Sequence, residues 1–297
     1  MRRELEKAVE LLHSGKPSGL TSSLSLLQQT VYSFSMKVCG HREDAEDTAQ
    51  DVLLKAIPYL PRFDSARALG VWLYKVAKNR CLMSRRKSKF APARMLSLEE
   101  LMPTREDLQT LAAPPGGTPE ALLLAGERAD NLLQAVRKLP PDYRLILVLH
   151  DMEELQTAEI ASILSLQQVT VRVRLHRARL FVRKELARVA SQRLPHRARS
   201  AMPPAPLPGT RSCQELLAAL SDYLDGAADE FVRRQLQTHL DRCPPCKGFL
   251  KDLQRTIRQC KDCPSPRMDP AVAARLGSKL REECRNHRLS SEPAPAR

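Results

Sequence analysis

Aromatic residues make up only 4% of the 297-residue chain, with a single Trp, and there are just 11 Gly. Strands favour aromatic and β-branched side chains and hairpin turns favour glycine, so both shortages disfavour a large β-sandwich or barrel. No apolar run approaches the roughly 18 residues a membrane-spanning helix needs. The opening residues, MRRELEKAVELL, set acids inside an apolar pattern and read as an amphipathic helix rather than a signal peptide. A cytoplasmic protein without membrane contact is therefore expected. Its eight Cys should be reduced there, which favours metal ligation over disulfides. Hydrolytic constellations are missing too, and GKPSG at 15–19 lacks the spacing of a phosphate-binding loop, so nothing supports an enzyme.

What is present is Leu, Ala, Arg and Glu in helical patterns, which points to an all-α fold. The formal net charge of +14 makes polyanions the default partners, and the charge is clustered. Composition divides the chain into amphipathic helices over 1–90, a linker over 91–118 and renewed helical periodicity over 119–192. A Pro-rich connector over 193–211, a small Cys-rich helical unit over 212–264, and a tail over 265–297 with a short helix and a polar, Pro-containing end complete it.

Residues 42–56, REDAEDTAQDVLLKA, place Val52, Leu53 and Ala56 on one stripe behind an acidic island of Glu43, Asp44, Glu46, Asp47 and Asp51. Such an island is either a solvated helix start or a docking face for a basic partner. Downstream, Arg80, Arg85, Arg86, Lys87 and Lys89 follow Trp72 and Tyr74. Cations neutralise phosphates and aromatics stack on unpaired bases, although Trp72 also suits a core. The order AEDTAQD, then F-x8-W-L-x3-A-x-N-x5-RR, resembles region 2 of extracytoplasmic-function sigma factors. The resemblance implies that Asp47, Gln50 and Asp51 bind core RNA polymerase. It also implies that Trp72, Tyr74, Asn79, Arg80, Arg85 and Arg86 handle the −10 element of promoter DNA. Met83 stands where that family commonly has an acid.

Residues 155–186 read as a helix-turn-helix. Thr157 is the expected N-cap, Ile160, Ala161 and Leu164 the inner face of a short helix, and Ser165 and Leu166 the turn. In the second helix Val171, Leu175, Ala178 and Phe181 or Val182 point inward, while Arg172, Arg174, Arg177, Arg179, Arg183 and Lys184 supply positive charge. The EIA…TVRVRLHRAR string resembles region 4 of the same family, with Ser165 and Val169 where glycine is usual. Thr170, Arg172, Arg174 and Arg177 are the candidate contacts to a −35 element.

Cys213, His239, Cys243 and Cys246 are spaced C-x25-H-x3-C-x2-C. Four N/S donors make a closed tetrahedral site that suits structural or regulatory Zn²⁺, and a unit this small needs such a brace. The alternative is a set of unligated thiols beside an incidental His. With the phrase LSDYLDG, the pattern resembles the zinc-binding anti-sigma domain, here attached in cis. Cys260, Cys263, Cys284 and His287 repeat a ligand-like spacing, open to a second metal site or to redox or incidental thiols, while Cys39 and Cys81 lack ligand partners. The reading is a sigma factor with core polymerase, promoter DNA and an anti-sigma or other regulator as partners. Its rival is a conventional helix-turn-helix regulator acting without polymerase, which would have no use for the acidic island.

Overall fold

The computed structural model describes residues 3–14, 18–86, 96–103, 125–193 and 213–291. Its α-helices are α1 (Arg3–His13), α2 (Gly19–Cys39), α3 (Arg42–Ala56), α4 (Ala66–Arg86), α5 (Leu98–Leu101), α6 (Ala125–Lys138) and α7 (Pro141–Leu147). They continue with α8 (Thr157–Leu164), α9 (Gln168–Arg193), α10 (Cys213–Ala218), α11 (Leu220–Leu224), α12 (Glu230–Arg242), α13 (Pro244–Lys261) and α14 (Pro270–Ser291). A 3₁₀ turn at Leu60–Arg62 and a π-helical turn at Val148–Met152 are the other regular elements among the described residues, so the fold is all-α. No helix among them is long and apolar enough to cross a membrane.

Two compact units result, neither continuous in sequence. The first joins Met1–Pro92, Glu153–Ser165 and Ser265–Arg297; the second joins Ala93–Met152 and Leu166–Pro264. In the first unit α1 to α4 form a bundle because each repeats apolar residues three or four positions apart. Helix α2 buries Leu24, Leu27, Val31, Phe34 and Val38, α3 buries Ala45, Ala49, Val52, Leu53 and Ala56, and α4 buries Leu69, Leu73, Ala77 and Cys81. Trimming one such leucine to alanine costs about 2–5 kcal/mol. Gly40 ends α2 in the left-handed region at φ 80°, its N–H donating to the Met36 carbonyl, a conformation that glycine adopts without a Cβ clash.

The expectation that every cysteine is reduced does not hold for Cys39 and Cys81. Packing of α2 beside α4 brings their Cα atoms to 5.9 Å, and they form a disulfide. Helix α8 begins one residue earlier than an N-cap at Thr157 would give. Gln156 is the N-cap, because the Glu159 carboxylate reaches back to accept its backbone N–H at 2.8 Å. Ile160, Ala161 and Ile163 are buried on α8, with Leu164 only half-buried. Ser165 adopts the left-handed φ 55°, ψ 47° that the turn requires despite its Cβ. The tail helix is longer than its composition suggested. Leu276, Leu280 and Cys284 recur every fourth residue and bury against the bundle, so α14 runs 22 residues. Between α2 and α14 lies a cavity of about 280 Å³ lined in part by Ser25, Gln28, Met268 and Gly277.

In the second unit α9 is the central helix, contacted by α5, α6, α7, α11 and α13. The Arg144 guanidinium closes the end of α6 by donating to the carbonyls of Arg137 and Leu139.

Candidate functional site

Helix α3 carries the acidic island. Asp47 is exposed, and Gln50 and Asp51 are half-buried. Asp51 accepts from Arg80 Nε on α4 at 2.7 Å, and Gln50 Oε1 accepts from Lys279 Nζ on α14 at 3.1 Å.

On α4, Asn79 and Arg80 are exposed, and Trp72 is half-buried with its ring centroid 5.8 Å from both Tyr59 and Phe63. Tyr74 departs from the sequence reading. It sits beside the inner stripe of Leu73 and Ala77 and is only 2% exposed. Its ring packs 4.8 Å from Phe34, and its hydroxyl donates to Glu153 Oε2 at 2.7 Å. In this arrangement it offers no stacking face. Arg85 and Arg86 end α4, and their side chains lie outside the described ones.

On α9, Val171, Leu175, Ala178 and Val182 are buried as the period requires. Thr170, Arg172, Arg174 and Arg177 are half-buried. Arg174 reaches Asp142 at 3.4 Å, and Arg177 donates to the Leu96 carbonyl at 3.1 Å. Two further arginines are not surface charges at all. Arg179 donates from Nε and one terminal nitrogen to Asp151 at 2.9 and 2.6 Å, and from both terminal nitrogens to Asp225 at 2.8 and 2.9 Å. Arg183 donates to Asp252 at 3.0 Å with its guanidinium 4.3 Å over the Phe249 ring. Asp225, Asp252 and Phe249 belong to the Cys-rich segment, which therefore sits on α9 within this unit. A lone basic helix does not reveal this. The available signal was the acids of LSDYLD and KD, at 225 and 252, in a segment otherwise read only for ligands.

The electrostatics follow from burial. Desolvation opposes the charge on Asp151, but the Arg179 charge and hydrogen bonds outweigh it and hold the carboxyl well below its usual range. Arg179 is likewise raised despite burial, by Asp151 and then Asp225. His176, whose Nδ1 lies 2.8 Å from Ser221 Oγ, is pushed down to about 4 by burial first and then by the Arg179 and Arg177 charges.

The four ligand candidates converge. Cys213 heads α10, His239 lies in the last turn of α12, Cys243 joins α12 to α13, and Cys246 lies in the first turn of α13. Their Sγ and imidazole nitrogen atoms all lie within 4.8 Å of one another. A tetrahedron with zinc–sulfur bonds of about 2.3 Å has edges near 3.8 Å, so modest closure completes the shell. Burial and then the Cys243 and Cys213 thiols push Cys246 up, and burial lowers His239, which favours the neutral, ligating imidazole. A dication would reverse the penalty on the thiolates. The donor set fits zinc. Cys260 and Cys263 belong to the second unit and Cys284 to the first, and the His287 side chain lies outside the described ones.

Comparison with known proteins agrees with this layout. Residues 25–90 match the sigma-70 region 2 family, 129–182 the sigma-70 region 4 family, and 213–247 a zinc-finger family. The ECF RNA polymerase sigma factor SigW of Bacillus subtilis is 28% identical over 186 residues, which span 63% of this chain and 98% of that protein. RNA polymerase sigma factor YlaC of the same organism is 29% identical over 161 residues, 54% of this chain and 87% of the relative. ECF RNA polymerase sigma factor SigE of Mycolicibacterium smegmatis is 30% identical over 163 residues, 54% of this chain and 59% of the relative. With matches to sigma-70 regions 2 and 4 in order and a zinc-finger segment after them, the chain is a sigma factor that directs transcription initiation.

Proposed function

We propose that this sigma factor docks on core RNA polymerase through Asp47, Gln50 and Asp51 of α3 and opens and reads a −10 element with α4. In that reading Trp72, Asn79, Arg80, Arg85 and Arg86 meet the DNA directly, and Tyr74 does so once uncovered. Thr170, Arg172, Arg174 and Arg177 of α9 read a −35 element in duplex promoter DNA. The segments act as a region 2 domain over 1–90, a region 4 domain over 119–192 and a zinc-binding domain over 212–264, with linkers at 91–118 and 193–211 and a tail over 265–297. The protein works in the cytoplasm, needs no catalytic group of its own, and is open to an anti-sigma or other regulator.

The zinc-binding domain is the cis-acting inhibitor in this reading. The observation that carries it is the seating of Asp225 and Asp252 on Arg179 and Arg183, which pins the zinc-binding segment along α9. A tethered domain acts at an effective concentration in about the millimolar range, so even a weak contact is well populated. Zinc on Cys213, His239, Cys243 and Cys246 would hold α10, α12 and α13 in the shape that makes the contact.

In vitro transcription with core polymerase tests both halves. A chain ending near residue 200 is expected to initiate more strongly than the full chain, and so is Cys243→Ser with Cys246→Ser. Equal output from all three refutes cis inhibition. Replacing Asp47, Gln50 and Asp51 with Ala should abolish co-purification with core polymerase. Retained binding would favour a conventional helix-turn-helix regulator.

A further inference from the structure

The first unit contains an ion pair that no solvent supports. Lys37 Nζ on α2 lies 2.9 Å from Glu153 Oε1, and the two side chains are 1% and 0% exposed. The second oxygen of Glu153 accepts the Tyr74 hydroxyl at 2.7 Å. Glu153 stands four residues before α8, the first helix of the helix-turn-helix, whereas Lys37 and Tyr74 lie in region 2. Helix α8 is tied to α4 at both ends as well. Arg67 donates to Glu159 at 2.6 Å and to Gln156 at 2.8 Å at its start. Lys78 Nζ donates to the Ile163 carbonyl at 3.0 Å near its finish, where the helix dipole favours a cation.

A fully desolvated pair of this kind contributes little beyond what an apolar pair of the same shape would, yet losing one partner strands the other charge. It is therefore a poor general stabiliser and a sensitive latch. When α8 leaves α4, Lys37, Glu153 and the Tyr74 hydroxyl all regain water, so the separated state carries no stranded charge. We propose that Glu153 is a positioning residue: by pairing with Lys37 and Tyr74 it holds α8 against α4 and keeps Tyr74 from single-stranded DNA until α8 is released. This rests on the reading of α4 as the −10 element.

The test uses the full chain. Amide hydrogen exchange is followed over 66–86 and 157–164, and fluorescence anisotropy measures binding of a labelled, mixed-sequence single-stranded oligonucleotide. Glu153→Gln should speed exchange over 157–164 by about tenfold or more and tighten DNA binding by a similar factor, as expected when a buried charge loses its partner. Lys37→Met combined with Glu153→Leu removes both charges and should return exchange to within about threefold of the parent. A residue that merely fills the core would leave single and double variants equally loosened, and that result overturns the latch, as does parental exchange in Glu153→Gln. If exchange rises while DNA affinity stays unchanged, the latch stands and the assignment of α4 to the −10 strand is lost. Should circular dichroism show Glu153→Gln to be unfolded, Glu153→Asp, which shortens the arm and keeps the charge, is read against a threshold of about threefold, below which the latch is refuted.

Discussion

Asp225→Ala isolates the grip of the zinc-binding domain on α9. Arg179 is 1% exposed and divides its guanidinium between Asp151, fully buried, and Asp225, whose side chain is 21% exposed. The substitution removes two charge-assisted hydrogen bonds, at 2.8 and 2.9 Å, without stranding a charge, because Asp151 still neutralises Arg179. Each such bond contributes about 1.5–3 kcal/mol, and partial exposure of Asp225 discounts the sum to about 2 kcal/mol. That is roughly a 30-fold shift in the docking equilibrium. Arg179→Ala is the contrast. It leaves Asp151 fully buried with only the neighbouring His150 ring nitrogen, 2.8 Å away, as a partner, which costs about 3–5 kcal/mol and destabilises the second unit as a whole. Hydrogen exchange over 213–225 and urea denaturation separate the two effects. Asp225→Ala should expose 213–225 while leaving the cooperative transition within about 2 kcal/mol of the parent. If exchange over 213–225 moves less than about twofold, the ion pair does not hold the domain and the reasoning fails.

Other outcomes follow from single residues. Ser165→Gly should raise stability by about 0.5–1 kcal/mol, read as a higher Tm, because the left-handed φ 55° disfavours a Cβ; no change would mean that the turn relaxes elsewhere. His176 binds a proton near pH 6.5 unfolded but near 4 folded, so its contribution is complete above pH 6.5 and is lost as pH falls to about 4. The loss is about 3 kcal/mol in total, and His176→Gln should flatten that part of the stability profile. Cys243→Ser with Cys246→Ser should abolish stoichiometric zinc by elemental analysis and reduce helical circular dichroism from α10, α12 and α13. Unchanged helicity would show that packing alone suffices.

Features that repeat along one element were legible in the sequence. The inner stripe of α9 was readable because Val171, Leu175, Ala178 and Val182 share one helical face. The ligand set was readable because His239 and Cys243 are one turn apart and Cys246 follows in the next helix. Pairings across long separations were not. Arg179 and Arg183 look like solvent-facing cations until Asp225 and Asp252 arrive from 46 and 69 residues away. Tyr74 looks free until Glu153 reaches it from 79 residues away, and Cys39 and Cys81, 42 apart, carry no local sign of their bond. Hydrophobic period reports which face is inward, not which distant charge will meet it.

The order of the Arg179 partners along the chain gives each newly made molecule a history. Asp151 is synthesised before Arg179 and Asp225 after it, with 28 residues between the first pair and 46 between the second. Domains fold from the N-terminus as they emerge, at about 5–20 residues per second. For roughly 2–9 seconds, on that scale, the nascent chain has Arg179 and Asp151 but not yet Asp225. Under the proposed cis inhibition, a population making this protein rapidly would hold a share of chains not yet inhibited, and its basal activity would track the rate of synthesis as well as the amount of protein present.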